Sequence, residues 1–233
     1  MTVYQDFFKF WDAIDFDISL PDGIKVLNPH EDNPEIKTVM ETFYKQYYSD
    51  DKKRVLVLGI NPGRLGAGAT GIPFTDPKRL VAECHIPYHG AVTHEPSSVF
   101  VYDVIHVWGG PTQFYNKIYI NSVCPIGFVK VDLPSGKAIN YNYYDRQDLT
   151  KALQGLILAN LKTQQSIARN NDTCVVLGTG KNYEYLKRLN EQYHLFRKIV
   201  PLEHPRYIMQ YKSKLKEDYV KKYIDTLGEL ATS

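Results

Sequence analysis

Cysteines and long apolar segments are scarce in this 233-residue chain, and each shortage excludes a class of protein. The three cysteines, Cys84, Cys124 and Cys174, are odd in number and far apart, so they cannot form a disulfide framework or a four-thiolate metal site within one chain. No apolar run approaches the roughly 18 residues of a membrane span. The first residues, MTVYQDFFKFWD, lack the basic and then apolar regions of a secretion signal. We expect reduced thiols, no membrane attachment and a cytoplasmic location.

Neither sign of charge dominates, because 28 basic residues face 26 acidic ones and the net charge is +2. This balance does not exclude nucleic acid, since an enzyme that touches few phosphates needs only a local basic patch. With 43% hydrophobic and 23% charged residues the composition is that of a globular protein. Internal repeats and flexible linkers are also lacking, so we expect one domain over residues 1–233.

Hydrophobic periodicity predicts helices alternating with short buried strands. Helical spacing covers residues 3–14, 35–48, 77–84, 97–108, 147–170, 181–189 and 214–230. Short β-branched runs followed by turn residues predict strands at 54–59, 118–123, 173–177 and 195–200. This alternation predicts an α/β fold, a three-layer sandwich with a central, mostly parallel four-stranded sheet flanked by helices.

The segment FVKVDLPSGKAINYN, residues 128–142, interrupts this alternation. It reads as two extended pieces around Pro134, Ser135 and Gly136, the pattern of a β-hairpin. We expect this hairpin to leave the main sheet.

Polar side chains follow three of the predicted strands directly. Asn61 follows the first strand, Asn121 closes the second within YINSVCP, and His204 follows the last within VPLEHPRY. Ligands of open α/β sheets bind beyond the carboxyl ends of the strands. These three residues are therefore the first candidates for a functional site.

The glycine-rich stretch after the first strand, VLVLGINPGRLGAGATGIPF, could also cradle a phosphate. The lysine and hydroxyl of a P-loop are missing, because Ile-Pro follows Gly71. The spacing of Gly59, Gly63 and Gly66 misses the dinucleotide fingerprint, and Pro62 has no backbone N–H to donate. The second such sequence, GTGKN at 178–182, has no Ser or Thr after its lysine and reads as a strand-to-helix turn.

Other polar clusters have simpler interpretations. Cys84, His85, His89 and His94 lie close together in sequence, but their loop-like segment offers no fixed face for zinc, and we expect no metal and no cofactor. The lysine-rich KSKLKEDYVKKY reads as a solvated amphipathic face. The tyrosines at 141, 143 and 144 could stack on bases but are more typical of strand and core packing.

Taken together, Asn61, Phe74, Asn121 and His204 supply an aromatic plate, two amides and an imidazole, which suffice to hold and polarise a pyrimidine ring. Each has an ordinary alternative, as a turn residue, a core residue, a strand-end cap and a surface histidine. Their combination favours a base-binding site.

These residues lie in motifs that resemble the uracil-DNA glycosylase superfamily, most closely its single-strand-selective monofunctional branch. The motifs are GINPGRLGAGATGIPF at 59–74, NSVCP at 121–125 and the His204–Pro205 pair. Their order and spacing agree across most of the domain. The first motif is specific, and the other two are short.

The resemblance implies that Asn61 positions the attacking water and His204 steadies O2 of uracil. It further implies that Phe74 stacks under the flipped base, that Asn121 reads the uracil edge, and that Pro62 and Gly63 line the pocket. Gly63 stands where strict uracil enzymes carry tyrosine, so the space beside C5 should be open to 5-substituted uracils or deaminated purines such as xanthine. The implied partner is DNA, single-stranded or a uracil-containing duplex, acted on by a monomer in the bacterial nucleoid.

The segment after His204 departs from the branch, because HPRYIMQYK lacks the usual Ser-Pro-Arg wedge. It resembles a bacterial second type within the branch, in which Arg206 or Tyr207 would contact DNA. Two other functions stay open, a non-catalytic module that binds single-stranded nucleic acid and a hydrolase of free nucleosides.

Overall fold

The computed structural model describes residues 1–29, 33–131 and 135–232. The strands of these residues are Ile24–Leu27 (β1), Val55–Gly59 (β2), Ile118–Ser122 (β3), Gly127–Val131 (β4), Ala138–Tyr141 (β5), Thr173–Leu177 (β6) and Lys198–Leu202 (β7). Their α-helices are Val3–Trp11 (α1), Ile36–Tyr47 (α2), Ala67–Thr70 (α3), Pro77–Cys84 (α4), Pro96–Trp108 (α5), Pro111–Lys117 (α6), Gln147–Ala168 (α7), Lys181–Tyr193 (α8), Pro205–Tyr211 (α9) and Lys216–Thr232 (α10).

The central sheet has four strands in the order β3-β2-β6-β7, and all of its pairs are parallel. The β2 and β6 strands are buried runs of Val, Leu and Cys, as the inner strands of a covered parallel sheet require. Helices flank the sheet, with α7 and α10 both packed against β2. The predicted α/β sandwich is confirmed.

The register makes the carboxyl ends of neighbouring strands level. Gly59 pairs with Ser122 at the end of β2 and β3, and Leu177 pairs with Leu202 at the end of β6 and β7. The loops that carry Asn61, Asn121 and His204 therefore leave from one edge of the sheet.

The predicted last strand, 195–200, starts three residues too early and ends two residues too early, because the observed strand is β7 at Lys198–Leu202. Leu195 and Phe196 are buried but precede it, and the side chain of Asn190 exchanges two hydrogen bonds with the backbone of Phe196. Pro201 lies within β7, which is tolerated because β7 is an edge strand of its sheet.

The predicted hairpin is confirmed as an antiparallel pair, β4 with β5, outside the main sheet. Its predicted turn at Pro134–Gly136 lies partly outside the described residues. The sequence reading missed β1, which pairs antiparallel with β4 and makes this a three-stranded sheet. It also missed the short helices α3, α6 and α9, and it placed the end of α1 three residues too late.

Candidate active site

A cleft of about 620 Å³ opens at the carboxyl ends of the parallel strands. Its lining unites seven of the eight predicted site residues, namely Asn61, Pro62, Gly63, Phe74, His204, Arg206 and Tyr207. The eighth, Asn121, is buried and lines an adjoining cavity of about 20 Å³ that shares Pro62 and Ser122 with the cleft.

Asn61 is held in one orientation by the backbone at the end of β5. Its Nδ2 donates to the carbonyl oxygen of Tyr141 at 3.2 Å, and its Oδ1 accepts from the backbone N–H of Tyr143 at 3.2 Å. A carbonyl only accepts and an N–H only donates, so the amide cannot be reversed. One lone pair of Oδ1 stays available to accept a proton of a water molecule.

Phe74 is presented by a turn that the Thr-Gly pair of the first motif stabilises. The buried hydroxyl of Thr70 donates to the carbonyl of Thr75 at 2.6 Å and accepts from the backbone N–H of Ile72 at 3.2 Å. Phe74 itself has a φ of 53°, a left-handed conformation that is uncommon for a bulky residue. At Gly59 a Cβ would lie 3.1 Å from the Phe74 ring, which explains why β2 ends on glycine.

His204 faces the same cleft, with its ring 5.7 Å from that of Phe74. Its Nδ1 accepts the backbone N–H of Arg206 at 3.1 Å. Part of the imidazole is open to the cleft, but the surrounding protein desolvates it. This desolvation, and then the charge of Arg206, lower the pKa of His204 to about 4. The ring is therefore neutral near pH 7, and its proton lies on Nε2.

Asn121 lies at the end of β3, where it acts as part of a buried network. Its Oδ1 accepts from the backbone N–H of Ser122 at 2.8 Å, and its Nδ2 donates to the hydroxyl of Tyr119 at 3.1 Å. Each of these atoms uses only part of its capacity, so the amide retains one donor and one acceptor.

The sequence reading missed Glu95, a half-buried carboxyl in the lining of the cleft beside Gly63. A Cβ at Gly63 would lie 3.7 Å from its Oε1. Ser98 donates to its Oε2 at 2.9 Å. Desolvation, with a smaller contribution from the charge of Asp76, raises the pKa of Glu95 to about 7. No local pattern marks this residue, because its proximity to Gly63 arises only from the fold.

The rim of the cleft is formed by the exposed face of α9. Arg206 and Tyr207 are exposed there, and Tyr207 lies 5.6 Å from the ring of Tyr211. Tyr211 was not predicted to take part. A guanidinium beside two exposed rings is a surface that suits a phosphate backbone and unstacked bases.

Within the described ranges, no three His, Cys, Asp or Glu side chains are grouped to hold a metal. His89 contacts Glu35, and Cys84 is buried against Tyr102. The lysine-rich segment runs from residue 212 into the first half of the amphipathic α10, and this helix buries Val220, Tyr223 and Leu227. Of the helices that the structure describes, none is long and apolar enough to cross a membrane.

The tyrosine cluster and the GTGKN turn support the strand ends. Tyr143 is buried and donates to Oδ1 of Asn182 at 2.7 Å, while Nδ2 of Asn182 donates to the carbonyl of Leu177 at 2.9 Å. The GTGKN turn is therefore linked through Asn182 to Tyr143, whose backbone N–H holds Asn61.

The family model of the uracil DNA glycosylase superfamily matches residues 46–228. The chain belongs to this superfamily. The match includes β2, β3, β6, β7 and the residues lining the cleft. Membership gives the type of function, which is that of a glycosylase acting on DNA, a hydrolase of N-glycosyl bonds.

A solved structure supports the same assignment. The crystal structure of wild-type SMUG2 from Pedobacter heparinus matches with a TM-score of 0.95 and 47% sequence identity, over 100% of both chains. The resemblance to a bacterial second type of the single-strand-selective branch is thereby confirmed. No curated protein matches the chain.

Proposed function

We propose that this protein is a monofunctional DNA glycosylase that hydrolyses the N-glycosidic bond of uracil flipped out of DNA. The observation that carries the proposal is the imidazole of His204, whose Nδ1 accepts the N–H of Arg206 and whose ring shares the cleft with Phe74. A plate for a flat ring and a fixed N–H donor are what a departing pyrimidine needs.

The chemistry follows from where charge develops. Breaking the bond builds positive charge on the sugar and negative charge on uracil, so a donor aimed at O2 stabilises the transition state more than the ground state. Nε2–H of His204 is that donor. An amide cannot take up a proton near pH 7, so Asn61 orients the water through the free lone pair of its Oδ1.

Hydrolysis by water leaves the DNA strand intact with an abasic site. The cleft receives amides and an imidazole from Asn61, Asn140, Asn142 and His204. These groups can orient water and polarise the base, but they do not form a Schiff base with the sugar. The reaction needs no metal and no cofactor, and the protein acts as a monomer.

The substrate range extends beyond plain uracil, to 5-substituted uracils and deaminated purines such as xanthine. A Cβ at Gly63 would lie in van der Waals contact with Asn140 at 3.4 Å and Glu95 at 3.7 Å, so the glycine leaves a small gap in the cleft beside these two lining side chains. A larger base would occupy that gap and meet the Glu95 carboxyl. Selection then depends on hydrogen bonds to the base edge more than on shape.

DNA reaches the cleft over α9. Arg206 offers charge to the backbone, and Tyr207 offers a ring to a neighbouring or unpaired base. Because flipping from a single strand or a mismatch requires less unstacking, such substrates are favoured.

An activity panel tests the proposal. Single- and double-stranded oligonucleotides bearing uracil, 5-hydroxymethyluracil or xanthine are incubated with and without EDTA, with free deoxyuridine as competitor. We expect base release in EDTA, with strand cleavage only after alkali. Binding without release would support the non-catalytic module, and hydrolysis of deoxyuridine alone would support the nucleoside hydrolase.

A further inference from the structure

A buried relay of side-chain hydrogen bonds connects the edge of the sheet to helix α7. The hydroxyl of Tyr119 accepts from Asn121 at 3.1 Å and donates to Oε1 of Gln164 at 2.8 Å. Nε2 of Gln164 then donates to Oδ1 of Asn160 at 2.9 Å. All four side chains are at least 93% buried, since the most exposed of them is Asn121 at 7%.

The far end of the relay fixes its direction. Nδ2 of Asn160 donates to the backbone carbonyls of Ser122 and Val123, at 2.9 and 3.0 Å. Carbonyl oxygens only accept, so Asn160 must present its NH2 group to them and its oxygen to Gln164. Gln164 must then donate to Asn160 and offer its own oxygen to Tyr119.

The phenol of Tyr119 transmits this direction to Asn121. Burial raises the pKa of Tyr119, so the hydroxyl retains the single proton that it donates to Gln164. Its lone pairs are then the side that faces Asn121, which must present Nδ2. Alternate residues of a strand share a face, and this places Tyr119 and Asn121 side by side on β3.

The near end favours the same orientation, and the relay adds to this preference. The backbone N–H of Ser122 only donates, and it meets Oδ1 of Asn121 at 2.8 Å. The amide therefore offers any ligand one N–H on Nδ2 and one lone pair on Oδ1, in a fixed order. Reversing it would set NH2 against the Ser122 N–H and would require every member of the relay to reverse.

We propose that Tyr119, Gln164 and Asn160 are positioning residues that hold the Asn121 amide in the orientation complementary to uracil and opposed to cytosine. This rests on the proposed function and on the family resemblance, which implies that Asn121 reads the base edge. Uracil presents N3–H as a donor and O4 as an acceptor, which match Oδ1 and Nδ2. Cytosine presents an acceptor at N3 and a donor at N4, so it requires the reversed amide.

The fixed orientation of the Asn121 amide matters because cytosine is a normal DNA base with a shape similar to that of uracil. A pocket that admits pyrimidines by shape alone would also accept cytosine, whereas a fixed amide rejects it by leaving buried polar groups unpaired. Tyr119, Gln164 and Asn160 thus contribute to the rejection of cytosine without contacting it.

The test compares binding of two oligonucleotides that resist cleavage, one with 2′-fluoro-2′-deoxyuridine and one with 2′-fluoro-2′-deoxycytidine at the same position. The readout is the ratio of their dissociation constants. Gln164→Met frees the Tyr119 proton to turn towards Asn121, and Tyr119→Phe removes the hydroxyl. We expect each to lower the preference for uracil by roughly tenfold, because a reversed Asn121 amide then conflicts only with the Ser122 N–H and no longer with the relay.

Two variants at neighbouring glutamines serve as controls. Gln164→Glu retains an oxygen for the Tyr119 proton in either protonation state, so the preference should stay within about threefold of the wild type. Gln165→Met removes a hydrogen bond from the next residue of α7 to Leu195 and leaves the relay intact, so it should leave the preference unchanged. Thermal melts establish that each variant is folded.

An unchanged ratio in folded Gln164→Met and Tyr119→Phe, or an equal loss in Gln165→Met, would overturn the proposal. If Gln164→Met does not fold, Tyr119→Phe decides. Uracil release is measured in parallel on a cleavable oligonucleotide. A wild type that prefers uracil in binding but releases none contradicts the proposed function and leaves the relay supported.

Discussion

The backbone N–H of Arg206 donates to Nδ1 of His204 across 3.1 Å, and this contact decides which nitrogen of the imidazole carries the proton. Pro205 has no N–H, so the donor of Arg206 is the first that α9 offers. The helix therefore converts a histidine into a neutral donor through Nε2. The proposed catalysis depends on this local arrangement.

His204→Ala should lower the single-turnover rate of uracil release by about a hundredfold or more, because one donor to the developing charge is lost. Binding of the uncleaved oligonucleotide should change little. His106→Ala is a matched control, since His106 is exposed at the end of α5 and contacts Glu83. Equal losses in binding and release would contradict the role of His204.

The same variant allows a pH test. Because the pKa of His204 is about 4, the ratio of wild-type to His204→Ala rates should be constant between pH 8 and about 5.5. It should fall as the pH approaches 4, where a proton on Nδ1 breaks the contact with Arg206. A drop centred near pH 6.5 would show that the imidazole is not desolvated.

Asn61→Ala should reduce release by at least about tenfold, because the water loses the acceptor that orients it. Asn61→Asp tests the same atom with different chemistry. A carboxylate can take a proton from water, but it loses the N–H donors that hold it to Tyr141. We expect its rate to lie between those of the wild type and Asn61→Ala, and a rate below Asn61→Ala would contradict the water-orienting role.

Glu95 should make stability depend on pH. Its pKa of about 7 lies above the ordinary 4.5, so between these values the folded state holds a proton that the unfolded state has released. Stability therefore falls as pH rises through this window, and the loss is complete above pH 7. No such loss arises below pH 4.5, where both states are protonated.

Glu95→Gln removes that loss while keeping an oxygen for Ser98. It should raise the melting temperature by at least about 2 °C at pH 8 and by less at pH 5. Glu184→Gln, in the exposed first turn of α8, serves as control. A shift that is equal at both pH values would show that the carboxyl is not desolvated.

The rim of α9 predicts two different effects on DNA binding. Arg206→Ala should weaken binding to all sequences alike and reduce the slope of log K against log salt by about 1. Tyr207→Ala should weaken single-strand binding by about 1–3 kcal/mol without changing that slope. Tyr193→Ala, at the end of α8, is the aromatic control. Identical salt slopes for the wild type and Arg206→Ala would exclude a phosphate contact.

The sequence predicted those elements whose structure depends mainly on residues close together in the chain. β2 and β3 are short apolar runs before turn residues, so their positions and the loop carrying Asn61 follow from pattern alone. The position of β7 was not predicted correctly from the pattern. The apolar Leu195 and Phe196 are buried in the loop that Asn190 holds, before the strand begins.

Contacts between distant segments were beyond the sequence. Asn61 is held by residues about eighty positions later, and the relay brings Gln164 to β3 from the last two turns of an amphipathic helix. Glu95 precedes a helix and has no side-chain capping bond, so nothing near it in sequence marks a group beside Gly63.

Hydrolysis by water with His204 as donor can be tested in one single-turnover experiment. A 5′-labelled single-stranded oligonucleotide with one uracil is incubated with excess enzyme in EDTA, and the strand is examined before and after alkali, for wild type and His204→Ala. The proposed mechanism predicts an intact abasic strand that is cleaved only by alkali and that the variant forms about a hundredfold more slowly. Strand cleavage without alkali, or equal rates for both proteins, would contradict it.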